Sequence, residues 1–99
     1  MRYKPVTRYE QFASYLFALG HPMRIEIVLE LLKGPKNAGD VGRSVNLSQA
    51  NTSQHLSKLR ISGIVQSARK GNIKVYSLKE PGKIQRIMNA LEESNQEER

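Results

Sequence analysis

The sequence predicts a mainly α-helical domain with one small β-hairpin, in the order α-α-α-α-β-β-α. Three observations predict it. Apolar residues recur at helical spacing over residues 9–19, 22–33 and 84–91. A serine-headed segment, SQANTSQHLSKLRISG (48–63), follows the preceding helical stretch after only VNL (45–47). Two β-branched runs, IVQSARK and IKVYSL, then flank Gly71-Asn72, the pattern of a hairpin.

The first helix, YEQFASYLFAL (9–19), places Phe12, Leu16 and Leu19 on one face, and Gly20 is expected to end it in a left-handed conformation. Pro22 opens the second at a position where its missing N–H costs nothing. That helix carries Ile25, Val28, Leu29 and Leu32 as a buried stripe, widened by Ile27 and Leu31, and KGPKN ends it. It is expected to be the central helix. Asn37 is the expected N-cap of a short third helix reaching about Val45. Gly39 and Gly42 each weaken that helix by about 1 kcal/mol relative to alanine, so packing must hold it. Ser48 caps the fourth helix, 49–62, and Gly63 stops it. Pro81 begins the last helix, with Ile84, Ile87, Met88 and Leu91 on one face, and EESNQEER frays. Two helices joined by a tight turn form a helix-turn-helix, and the hairpin directly behind it makes the domain a winged helix. One domain is expected over residues 1–93, with an acidic flexible tail at 94–99.

Composition excludes several chemistries. The 99 residues contain no cysteine, which removes disulfides, thiolate metal sites and thiol redox sensing. No apolar run approaches the ~18–20 residues of a membrane span, and MRYKPVTRYE lacks the apolar stretch of a signal peptide. A cytoplasmic protein with no membrane partner is expected. An enzyme is not: KGPKNAG lacks the phosphate-loop spacing, and Ser48 and Ser53 do not converge with His55 on one helix face.

The net charge of +7 is concentrated. Residues 48–79 hold Lys58, Arg60, Arg69, Lys70, Lys74 and Lys79 and no acidic residue, a field suited to a polyanion. Within the fourth helix, Thr52, Leu56 and Leu59 fall on one inward stripe. The opposite face carries Ala50, Asn51, Gln54, Ser57, Lys58 and Ile61, with Gln49, Ser53, His55 and Arg60 on the flanks. An ordinary solvated face mixes Glu with Lys and Arg; this one has no carboxylate. Short side chains let a helix backbone enter the major groove of double-stranded DNA. Amides pair with adenine edges and an exposed methyl such as Ala50 meets thymine. Ser48, Ser53 and Lys58 suit phosphate oxygens. At the hairpin tip, Arg69, Lys70 and Lys74 surround the Gly71-Asn72 turn and suit the flanking DNA backbone or the minor groove. Edge-strand lysines and arginines also discourage strand-to-strand aggregation.

The phrase ALGHPMRIEIVLELL, followed by LSQANTSQHLSKLRISGIVQSARKGNIKVYSL, resembles the ArsR/SmtB family of winged-helix repressors from about Phe12 to Leu78. Its most specific part is the set Leu47, Ser48, Gln49, Ser53, Gln54, His55, Leu56 and Leu59. The resemblance implies a homodimeric, sequence-specific repressor built on the first and last helices and bound to an inverted-repeat operator. The stripes Phe12, Leu16 and Leu19, and Ile84, Ile87, Met88 and Leu91, supply apolar faces for that dimer. The departure lies in the sensor positions. The third helix, NAGDVGRSV, offers only Asp40, and the last offers adjacent Glu92 and Glu93 with no histidine. No metal site and no cofactor are expected. His21 is expected to cap or pack, and His55 to hydrogen-bond a backbone group or a DNA phosphate. Control by a protein partner or a small organic inducer stays open, as does a winged-helix module acting on protein or RNA. Tyr76 is the sole aromatic in 48–79, which leaves no stacking platform for single-stranded RNA.

Overall fold

The computed structural model describes residues 7–97, with side chains through Glu93. Its elements are α1 (Arg8–Leu19), α2 (Pro22–Leu32), β1 (Lys36–Asn37), α3 (Ala38–Val45), α4 (Gln49–Ile61), β2 (Val65–Lys70), β3 (Ile73–Leu78) and α5 (Pro81–Glu97). The winged-helix order is therefore present, with one addition. A two-residue strand precedes α3 and pairs antiparallel with β3, Lys36 opposite Tyr76 and Asn37 opposite Val75, giving the sheet order β1-β3-β2.

Local chemistry sets the ends of the helices. Thr7 and Glu10 form a capping box at α1. The Nδ1 of His21 caps α2 by accepting from the Met23 N–H at 3.1 Å. Asn37 and Ser48 cap α3 and α4 by accepting from Asp40 and Asn51. Gly20 departs from expectation: its φ is −79°, so α1 ends without a left-handed residue. Gly63 does adopt one, at φ +80°. The last helix is longer than expected, its backbone staying helical through Glu97 across most of the tail anticipated at 94–99. Residues 98–99 of that tail, and 1–6 of the expected domain, lie outside the described residues.

α2 is central, packing on α1, α3, α4, α5 and β3. Its buried line is Arg24, Ile27, Val28 and Leu31, not Ile25, Val28, Leu29 and Leu32. Leu29 is exposed, whereas Ile25 and Leu32 lie at the margin. The run of apolar residues is broad enough to allow either phase; the neighbours on α3 and α4 select this one. Ile27, Val28, Val41, Leu56, Leu59, Ile64, Val65 and Ile84 fill the core. Among the described residues no helix is long and apolar enough to cross a membrane.

Candidate nucleic-acid interface

The turn between α3 and α4 is built around two residues. Asn46 takes a left-handed conformation, φ 60°, and the Leu47 N–H donates back to the Gly42 carbonyl at 2.9 Å, which closes α3 in a few residues. Gly42 itself allows α4 to approach. A Cβ there would lie 2.8 Å from the Thr52 Oγ1 and 3.2 Å from the Leu47 carbonyl oxygen. Thr52 is fully buried, and its hydroxyl donates to the Ser48 carbonyl at 2.8 Å.

With Thr52, Leu56 and Leu59 turned inward, α4 presents Ala50, Asn51, Gln54, Lys58 and Ile61 to solvent. Gln49, Ser53 and Arg60 are exposed beside them, Ser57 is half-buried, and Ser48 is exposed at the cap. His55 is the exception. It is half-buried, its Nδ1 accepts from the Arg24 Nε at 3.2 Å, and its ring meets that of His21 edge-on at 4.7 Å. The side chain expected on the nucleic-acid flank is engaged in the seam between α4 and α2.

The hairpin turn has Gly71 at φ +63° as the first of its two central residues, between Lys70 and Ile73, as a type II′ turn requires. Arg69, Lys70, Asn72 and Lys74 are all exposed around it. The Arg69 guanidinium donates to the Asn72 carbonyl at 3.4 Å, and the Lys74 Nζ lies 5.7 Å from the Tyr76 ring centre. The three ion pairs among the described residues, Lys33–Glu30, Arg43–Asp40 and Lys83–Glu80, all lie outside α4 and the hairpin. The cations of this face keep their field unneutralised. β1 ties the two parts together, because Asn37 both pairs with β3 and caps α3.

The seven residues expected at a dimer face divide. Leu19, Ile84 and Met88 are buried in this chain's own core. Phe12, Leu16 and Leu91 are exposed, at 56%, 61% and 54%, so they remain available to a partner. Ile87 is partly buried and lines, with Phe12, Tyr15 and Leu16, a groove of about 550 Å³ between α1 and α5. Tyr9, 66% exposed and edge-on to Phe12 at 6.0 Å, extends the patch. It falls on the Phe12 face of α1, one turn before it, but outside the stripe read from the sequence. Arg24 interrupts the apolar stripe of α2 with a charge, yet its spacing places it on the same face as Ile27, Val28 and Leu31. Among the described residues no group of three or more His, Cys, Asp or Glu is placed to hold a metal ion.

Residues 21–67 match the family model described as bacterial regulatory protein, arsR family. The chain is 39% identical over 71 residues to the HTH-type transcriptional regulator YgaV of Escherichia coli K12, covering 71% of this chain and 72% of that one. It is 37% identical over 86 residues to the biofilm growth-associated repressor of Xylella fastidiosa, covering 85% and 73%. The crystal structure of NolR from Sinorhizobium fredii superposes with a TM-score of 0.78 at 32% identity, covering 92% of this chain and 95% of that one.

Proposed function

The chain belongs to the arsR family of bacterial regulatory proteins and is a DNA-binding transcriptional regulator; from that premise we propose that it acts as a homodimeric repressor on an inverted-repeat operator. One α4 from each protomer enters a major groove, and the hairpins of the dimer lie along the flanking backbone. The observation that carries this reading is the exposed, carboxylate-free face of α4 beside an unpaired basic hairpin tip. Asn51 and Gln54 read base edges, and Ala50 offers a methyl contact. Ser48, Gln49, Ser53, Ser57, Lys58, Arg69, Lys70, Asn72 and Lys74 bind phosphates and fix the register. The X. fastidiosa relative is a repressor by name, which supports occlusion of a promoter as the mode of action. The chain has no cysteine, so its control involves neither thiol chemistry nor thiolate metal ligands. It carries out no catalysis.

Selection of bound duplexes from a random pool tests the reading. An inverted repeat is expected, and binding should persist after EDTA treatment. In the recovered site, Gln54→Ala should relax preference at one base pair per half-site by about 1–3 kcal/mol. Equal weakening on selected and random duplexes would show that Gln54 does not read bases.

A further inference from the structure

Behind the exposed face, α4 is held to α2 by a cluster that contains no carboxylate. Arg24, buried, donates one guanidinium nitrogen to the Ala18 carbonyl of α1 at 3.1 Å and its Nε to the His55 Nδ1 at 3.2 Å. A guanidinium only donates, so His55 must offer a lone pair at Nδ1 and carry its proton on Nε2. An imidazolium has no lone pair. Protonation of His55 therefore deletes the Arg24 hydrogen bond and sets a second cation against a buried guanidinium. His21 stands edge-on to His55 with its own Nδ1 committed to the Met23 N–H. The groups acting electrostatically on His55 are His21 and Arg24, at the cap and first turn of α2, and Lys58 on α4. No carboxylate from α1, α3 or β2 is among them. Burial first, then His21, Arg24 and Lys58, hold the imidazole below the ordinary histidine range.

We propose that Arg24 and His21 are positioning residues that fix the recognition helix through His55, and that acidification releases this seam and weakens duplex binding. The second half rests on the reading of α4 as the groove-binding helix; the first does not. The direction follows from linkage. The fold favours the neutral imidazole, so the stabilisation is present above the ordinary histidine value of about 6.5 and is lost as pH falls below it. That sign is opposite to bulk electrostatics, because acid makes the chain more cationic and by itself strengthens attraction to a polyanion.

Two readouts between pH 8 and 5.5 test the proposal on the full chain. The first is the urea midpoint of wild type, His55→Gln and His21→Asn. Glutamine keeps an acceptor and asparagine keeps a cap, yet neither titrates. Wild type should lose stability with acid, His55→Gln should be nearly flat, and His21→Asn should show a shallower loss. The same slope in all three proteins would overturn the proposal without reference to DNA. The second is the affinity for a duplex selected at pH 8. Wild type should fall relative to His55→Gln by several-fold, with about tenfold per pH unit as the ceiling for one proton. A ratio of wild-type to His55→Gln affinity that rises between pH 8 and pH 5.5 would overturn it, since that result means the imidazolium has swung out to a phosphate. Failure to recover any preferred duplex would refute the groove reading alone, and the urea slopes would still decide the positioning role.

Discussion

Gly42 is the residue on which the spacing of α3 and α4 depends. Glycine within a short helix costs about 1 kcal/mol relative to alanine, and the sequence alone shows only that cost. The structure supplies the reason, a methyl at this position meeting the Thr52 hydroxyl and the Leu47 carbonyl oxygen. Neither neighbour yields easily. Thr52 is β-branched, fully buried and hydrogen-bonded to Ser48, and the carbonyl belongs to the tight turn. Gly42→Ala should therefore destabilise despite its better helix propensity, by about 1–3 kcal/mol as overpacking does, measured by urea unfolding. Part of that loss should return in Gly42→Ala/Thr52→Ala, where the closest atom is gone. A single mutant as stable as wild type would show that α4 can shift away without cost. Arg24 teaches the same lesson. Its place on the buried line of α2 is visible in the spacing, but its partner His55 lies 31 residues away, and no local pattern reports that pairing.

Among the elements, α4 and the β2–β3 hairpin were legible because their signals are local. Ser48 and Gly63 bracket the helix, Thr52, Leu56 and Leu59 set its inward face, and Gly71-Asn72 sets the turn. β1 was not legible. It is two residues long, and Lys36 and Asn37 have little strand propensity; they pair because β3 presents a free edge to them. The phase of α2 was ambiguous for a related reason, since Ile25, Ile27, Val28, Leu29, Leu31 and Leu32 cover most of the helix circumference and only its neighbours choose among them. Lys70 is exposed beside the turn and away from every ion pair among the described residues. In the proposed complex it releases about one counterion from the duplex. Lys70→Ala should weaken all duplexes alike and reduce the slope of log affinity against log salt by about 0.9. An unchanged slope would remove the hairpin from the phosphate footprint.

At the scale of the molecule, one side is polar and basic while the α1–α5 side is apolar and exposed. Phe12 and Leu16 lie one turn apart on α1 and line a groove with Ile87, and Leu91 continues the α5 face one turn beyond. The sequence could mark these stripes but not separate core from interface, because Leu19, Ile84 and Met88 share the same periodicity and turn out to fill the chain's own core. That division makes the dimer testable without unfolding the protomer. Leu16 is 61% exposed, so Leu16→Glu should keep the helical circular dichroism of wild type. In a homodimer with the proposed face, it should place two carboxylates in a buried apolar contact. Wild type is expected to sediment as a dimer at micromolar concentration and Leu16→Glu as a folded monomer. The same change should cost about 10²–10⁴-fold in affinity for an inverted repeat, the gain that linking two half-site contacts supplies, with little effect on a single half-site. A Leu16→Glu protein that sediments like wild type would place the interface elsewhere. A dimer lost without loss of inverted-repeat affinity would mean that each protomer binds alone.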